Sequence, residues 1–555
     1  MRCNGSHLAP RGRRGPPPRL GRVSRQQRLT LIATILGSTV VFLDATVVNV
    51  ALPAISEDLD AGLAGQQWVV EAYMLTMVSL LLVGGSLGDQ FGRRRMFVAG
   101  LVAFGATSAL CAVAPSDEFL VGARALQGIA GALLVPGSLA IVAATFEGEE
   151  RGKAVGTWTA WTGIATVFGP AGGGALIGLL SWRAIFWVNL PLIALTVALT
   201  LRGVEESRDP DAFRGIDWPG IALSAAGLGG PVFALIEQPT RGWGDPLVWV
   251  PLLGGVLCLA AFLLYEARAR HPMLDLGLFR IRNFAVANLT TLAAYAGLIG
   301  GLFFATLFLQ QVAGYSALEA GLATTPVSIL LFVLSPRFGR LASGTGPRLP
   351  MTVGPIVGGI GLLLMLRVGA EADYVSEVLP AVLVFGLGLA ATVAPLTATV
   401  LDSVEERRVG IASGVNNGVS RVAGLLAIAV LGAVISAHFG ASLDSNLGQQ
   451  LGPLANRIVA DAKAQPLAVP KVERLPPPQT VRLEAASVDA STSAFHLGVA
   501  IAGLLMIVGG IASGFGIEDP RRRSTPSPQS SFETARLSRD GGAPRTGGYS
   551  KHRPG

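Results

Sequence analysis

Leu43-Asp44-Ala45-Thr46-Val47-Val48-Asn49-Val50-Ala51-Leu52-Pro53 closes an apolar run that begins near Leu29. The run is continuous rather than alternating. It is long enough for a helix across a bilayer core about 30 Å thick, which takes roughly 20 residues. One acid stands inside it. An ionised carboxylate is expensive in hydrocarbon, so Asp44 is a functional candidate, with a capped or ion-paired structural Asp as the plain alternative. Gain or loss of one proton at such a site can bias a conformational change.

Working outward with the same length rule gives about fourteen spans. They lie near 29–51, 67–87, 96–114, 119–144, 154–180, 183–201, 217–236, 247–265, 284–311, 321–341, 350–368, 377–400, 409–437 and 493–516. The chain has 555 residues, 51% hydrophobic and 14% charged, with a mean hydropathy of +0.54. Soluble domains carry about 25% charged residues, so this is an all-α integral membrane protein. Membrane barrels would alternate apolar and polar residues, and these runs do not. The net charge of +7 gives no reason to expect nucleic acid, because no basic, aromatic-laced soluble face exists. Cys3, Cys111 and Cys258 make no metal spacing and no disulfide framework.

The bases gather in alternate loops, at Arg93-Arg94-Arg95, Arg151 with Lys153, Arg202 to Arg214, Arg268 to Arg282, Arg337 to Arg348, and Arg407-Arg408. The intervening loops are acidic or neutral, with Arg241 as the exception. The positive-inside rule then puts the basic loops and both termini in the cytoplasm. Lys occurs only at 153, 463, 471 and 551 while Arg, Ala and Gly abound, a composition suited to a bacterial plasma (inner) membrane protein.

The spans divide as six, two and six. Residues 1–28 read as a disordered basic tail, 29–201 as a six-helix bundle, and 217–265 as an inserted two-helix hairpin. Residues 284–516 read as a second six-helix bundle and 517–555 as another disordered tail. Within the second bundle, the outer segment 441–492 carries Pro453, Pro466, Pro470 and Pro476-Pro477-Pro478, and is expected to be largely irregular.

After span 2 comes Gly84-Gly85-Ser86-Leu87-Gly88-Asp89-Gln90-Phe91-Gly92-Arg93-Arg94-Arg95. Small residues permit close helix approach, glycine permits a tight turn, and the bases hold the loop inside. The spacing of Gly85, Asp89, Gly92 and Arg93 resembles the signature loop of the major facilitator superfamily. That resemblance implies that Asp89 meets the start of span 13, near Val409 to Ser413, and that breaking the contact favours the inward-facing state. Arg124, Gln127, Gly128 and Gly131 in span 4 look like the family's fourth-helix motif, whose Arg is tied to proton transfer. Gly163, Gly169, Pro170, Gly172, Gly173 and Gly174 in span 5 resemble its antiporter motif, a close-packed, kinked seam between the bundles.

Three more stretches resemble the fourteen-span drug:proton antiporter branch: Leu43 to Pro53, Trp182-Arg183 with Phe186 to Pro191, and Gly410 to Asn417. The likeness covers residues 29–437 and the last span. Arg337-Phe338-Gly339-Arg340 stands where a second-half echo of the signature loop belongs. The outer segment departs from the branch, and Glu71 stands where a small polar residue is more usual. The implied fold is two six-helix bundles around a central cavity, with an extra two-helix hairpin between them.

Axial depth is an independent check. At 1.5 Å per residue, Asp44, Glu71 and Arg124 each lie roughly 8–10 Å below the outer ends of their spans. Charges in one layer suggest mutual contact. Asp44 is expected to carry the proton and Arg124 to tune it. Glu71 either shares the proton or attracts a cationic substrate. Cavity candidates are Tyr73, Tyr295, Phe303, Gln310, Asn416, Asn417 and Arg421, since aromatic and amide groups suit amphipathic ligands. Arg421, near mid-membrane, either pairs with an acid or meets a neutral or anionic substrate.

No nucleophile or metal constellation appears, so no enzyme is expected. Gly148 to Ala154 lacks the glycine spacing and closing hydroxyl of a phosphate loop, so neither is ATP. The resemblance implies proton-coupled efflux of amphipathic drugs by alternating access, with protons and small molecules as partners in the bilayer and no cofactor beyond the proton. A dedicated exporter of one metabolite is the alternative within transport. A transport-inactive sensor or scaffold is the alternative outside it.

Overall fold

In hydrocarbon every backbone N–H and C=O must be satisfied within its own segment, and continuous apolar runs achieve this as helices. The computed structural model describes residues 24–208, 217–269, 274–405, 408–447, 459, 462–463, 465–469 and 477–519. It holds no strand among them. Thirteen helices are long and apolar enough to cross a membrane, and a bent pair supplies a fourteenth span.

We number the spans in chain order. The first bundle is α1 (Arg25–Leu59), α2 (Leu63–Phe91), α3 (Arg93–Ala112), α4 (Asp117–Thr145), α5 (Gly148–Leu179) and α6 (Ala184–Gly203). Then come α7 (Trp218–Arg241) and α8 (Pro246–Glu266). The second bundle is α9 (Arg282–Gln311), α10 (Ala317–Thr345), α11 (Arg348–Arg367), α12 (Tyr374–Asp402), α13 (Val409–Leu447) and α14 (Pro477–Gly516).

In the first bundle α4 packs on α1, α2 and α3, while α1 also packs on α5 and α6. In the second, α9 packs on α13 and α14, and α12 on α10 and α11. The bundles meet where α5 touches α10, α2 touches α13 and α1 touches α9. Helix α7 pairs with α8 and lies against both α2 and α13. Leu228, Val232 and Ile236 of α7 share an apolar cluster with Leu425 and Ala429 of α13 and with Trp68 and Leu75 of α2. The inserted hairpin therefore covers a line where the two bundles join.

Several expectations change. Most of the tails, at 1–23 and 520–555, lies outside the described residues, as do Arg214, Arg270 and Arg407. Residues 25–28 are not tail but helix: Ser24 accepts from the Gln27 N–H and the Gln27 side chain from the Ser24 N–H, a capping box that starts α1 early. The stretch Gly84 to Arg95 is mostly helical rather than a loop. Helix α2 bends by 51° between Leu63–Leu81 and Val83–Phe91, next to the Gly84-Gly85-Ser86 run that weakens it. Only Gly92 leaves the helix, at φ 114°, and α3 starts at once. Arg337 to Arg340 likewise lies within α10.

The segment 441–492 is helical at both ends, because α13 runs on to Leu447 and α14 begins at Pro477, where proline suits a first helical turn. Its parts at 448–458 and 470–476 are outside the described residues. Helices of 39 and 40 residues are about 60 Å long, twice the hydrocarbon depth. Their projecting parts bury Phe439, Leu443 and Leu483 in the main apolar core together with Leu467.

Gly92 supports one test. A Cβ there would strain the backbone and strike the Glu206 carboxylate. Gly92→Ala is expected to lower stability by about 1–3 kcal/mol, read as earlier thermal unfolding of the purified protein.

Candidate functional site

Asp44 is 3% exposed, Arg124 1% and Glu71 0%. At that depth a polar side chain needs partners from neighbouring helices, and α2, α3, α4 and α6 build the network around Asp44 of α1. Arg124 of α4 donates from Nη1 to Asp44 Oδ2 at 2.5 Å. Gln127, one turn along α4, donates from Nε2 to Asp44 Oδ1 at 3.1 Å and accepts from Arg124 Nη1 at 2.7 Å. Asn189 of α6 donates to Asp44 Oδ1 at 3.2 Å and to Ser108 Oγ of α3 at 3.1 Å. Arg124 Nε donates to the Val69 carbonyl of α2 at 3.0 Å, and its guanidinium lies 4.2 Å from the centroid of the Tyr73 ring.

Local sequence explains these placements. Ser116 caps α4 by accepting from the Phe119 N–H, with Asp117 and Glu118 in the first turn to complement the helix dipole. A break at Val188 separates Ala184–Trp187 from Asn189–Gly203, and the second piece opens on Asn189. The carboxylate thus accepts from three donors, two of them neutral amides.

Glu71 has the opposite surroundings. It lies on the same turn of α2 as Val69 and Tyr73, yet neither carboxyl oxygen has a hydrogen-bond partner among the described residues. The structure therefore joins Asp44 to Arg124 and leaves Glu71 without a hydrogen bond among the described residues. Gln127 and Asn189 stood within the quoted motifs with no role assigned. The signal available for them was a polar side chain inside an apolar span.

The two ends of the molecule differ. At the end carrying Arg93 to Arg95, Asp89 accepts from Arg93 Nε at 2.8 Å, and no hydrogen bond links it to Val409–Ser413 among the described residues. The chain after α6 joins this corner instead: the Arg94 N–H donates to Glu206 Oε1 at 3.1 Å and the Arg93 N–H to the Ser207 carbonyl at 3.0 Å. Sequence inspection gave Glu206 no part. Gly85 abuts Pro136 of α4.

The acidic end, carrying Asp58 and Glu371, is where the bundles are tied together. Gln67 Nε2 donates to the Ile428 carbonyl at 2.8 Å, and Gln310 Nε2 to the Val50 carbonyl at 3.2 Å. Cβ atoms added at Gly169 and Gly173 would strike Thr46 and Val47 of α1. One at Gly174 would strike the backbone of Ala317 and Leu318 of α10, and one at Gly321 the Pro170 carbonyl. Gly169 and Gly173 therefore admit side chains of α1, while Gly174 and Gly321 let the α5 and α10 backbones meet. Gly163 does not share in this, since nothing lies within 4 Å of a Cβ there.

The cavity candidates separate as well. Tyr73 is fully buried beneath Arg124, and Phe303, 2% exposed, packs edge-on against Phe304 at 4.9 Å. Neither lines an open space here. Gln310 is a tie between bundles. Asn416 donates to Asn288 Oδ1 at 3.2 Å and Thr291 Oγ1 at 2.7 Å, joining α13 to α9. Asn417 is exposed and donates to the Ser413 carbonyl at 3.0 Å. Tyr295 and Arg421 are half-buried, and Arg421 Nη1 lies 3.8 Å from Met77 Sδ of α2.

Two helical bundles joined along a seam, with a buried charge cage in one and small-residue contacts between them, define a multi-pass membrane transporter. Residues 34–428 match the family described as Major Facilitator Superfamily, and the chain belongs to that superfamily. It is 37% identical over 441 residues to multidrug resistance protein Stp of Mycobacterium tuberculosis, covering 79% of this chain and 82% of that one. It is 32% identical over 485 residues to the tetracenomycin C resistance and export protein of Streptomyces glaucescens, covering 86% and 89%. Among solved structures, the inward-facing, unoccupied bacterial homolog of the human lysosomal transporter Spinster shares the fold. Its TM-score is 0.59 at 16% identity, covering 89% of this chain and 99% of that one.

Proposed function

We propose that the protein is a proton-coupled antiporter that exports amphipathic, drug-like small molecules by alternating access. Its arginine-rich end faces the cytoplasm of a bacterial cell. The names of the two relatives support export of antibiotics. The coupling rests on one observation: two carboxyls buried in one layer of the first bundle have opposite surroundings. Such a contrast is how paired acids take different roles.

Asp44 accepts from three donors. An ionised Glu71 would be a buried charge without a counterpart, a cost of several kcal/mol that the neutral acid avoids. Protonating Asp44 removes the charge that holds Arg124 and frees α1 to move against α4. Glu71, on the α2 turn that Arg124 touches, is the second proton holder. The ties at Gln67–Ile428 and Gln310–Val50 hold the acidic end closed in the form described here. A potential of 100 mV contributes roughly 2.3 kcal/mol for each charge moved, enough to drive accumulation outside.

Everted vesicles carrying the protein should take up tetracenomycin C only while a proton gradient stands. Uptake that persists after a protonophore collapses the gradient would sink the antiport reading. Glu71→Gln is expected to abolish drug-evoked proton movement and leave thermal stability within about 0.5 kcal/mol, because no hydrogen bond is lost. Full proton exchange in that variant would return the whole role to Asp44.

A further inference from the structure

Arg421 is a cation without an acid. It stands on α13 near mid-membrane, and arginine keeps its charge in any protein environment. No carboxylate among the described residues pairs with it. Its recorded partner is the Met77 thioether of α2, and the titratable groups close enough to act on it are the Tyr73 and Tyr295 phenols. Glu71, also on α2, makes no hydrogen bond among the described residues, so it does not pair with Arg421. An isolated guanidinium at this depth is costly unless something anionic or aqueous reaches it.

The surroundings say from which side it is reached. Ser413, Asn417 and Arg421 recur every four residues and share one side of α13. Asn417 is exposed and Ser413 half-buried, whereas Ala423, Gly424 and Leu425 just beyond are buried. The ties between bundles, at Gln67–Ile428 and Gln310–Val50, also lie beyond Arg421. A polar stripe thus climbs from the cytoplasmic end and stops at the guanidinium, against the Met77 wall of the opposite bundle.

We propose that Arg421, with the Asn417 amide one turn below, is the point at which cargo is recognised, and that this cargo carries a delocalised oxygen anion, a carboxylate or phenolate, on an apolar ring system. The guanidinium fork matches such an anion, and the half-buried Tyr295 ring suits the apolar part. This rests on the exporter reading and narrows its substrate class away from permanent cations.

The test uses the full chain in phosphatidylcholine nanodiscs, with anthracene-9-carboxylate and its uncharged methyl ester as probes and tryptophan quenching as the readout. The acid should bind at least about tenfold tighter than the ester. Arg421→Gln should erase the preference, and Arg421→Lys should keep most of it. Equal binding of acid and ester by the unmodified protein overturns the proposal, as does a preference that survives Arg421→Gln. No proton gradient enters this equilibrium measurement. Loss of proton-driven uptake with the acid preference intact would remove the antiport reading and leave the anion site standing. Intact exchange without the preference would remove the anion site alone.

Discussion

Replacing Arg124 by methionine is expected to lower stability by about 3–5 kcal/mol, the usual penalty for stranding one member of a buried ion pair. Asp44→Asn should cost a comparable amount, because it strands a buried guanidinium that cannot shed its charge, whereas Arg124→Met strands a carboxylate that can take up a proton. The double variant Asp44→Asn, Arg124→Met should recover most of the loss, because no charge is then left alone. Thermal unfolding of the four proteins in detergent, followed by tryptophan fluorescence, closes the cycle. Strictly additive losses would mean that the two side chains contribute independently, and the cage would lose its meaning as a charge pair.

A second large effect is expected at the seam. Gly174→Leu places a side chain into the backbone of Ala317 and Leu318. Overpacking costs about 1–3 kcal/mol, and here that cost falls on the form whose acidic end is shut. The equilibrium should shift about 5–150-fold toward the opposite form. A single cysteine at Gln310, in a background without Cys3, Cys111 and Cys258, should then react faster with an impermeant maleimide added outside, while export falls. Gly163→Leu is the control, since open space surrounds that position. Unchanged labelling in Gly174→Leu, or an equal effect from Gly163→Leu, would show that α5 and α10 do not gate the acidic end.

These two cases show how far the chain could be read without coordinates. The motif in α5 was legible as a group of small residues. Small residues alone, however, do not say which neighbour each one admits. Gly169 and Gly173 serve α1, Gly174 serves α10, and Gly163 serves neither. The same holds for the charges. Depth along a helix follows from counting residues, so Asp44, Glu71 and Arg124 were placed in one layer. The direction in which each points was not available, because a few tens of degrees of rotation decide whether an acid meets a guanidinium or an apolar wall. Tyr73 and Phe303 show the same limit. Both suit a cavity by chemistry, and both are buried in packing.

What the sequence by itself determined is axial. Hydropathy alone specifies how many times the chain crosses, since each crossing must bury a whole length of backbone polar groups inside one apolar helix. Loop charge specifies an orientation, and motif spacing the family. The tertiary structure decided everything lateral: that three donors surround Asp44, that Glu206 closes the corner at Gly92, and that among the described residues Glu71 has no donor and Arg421 no acid. Lateral contacts depend on helix rotation and on which bundle face meets which. Those are set by the summed packing of many side chains rather than by any one stretch of chain.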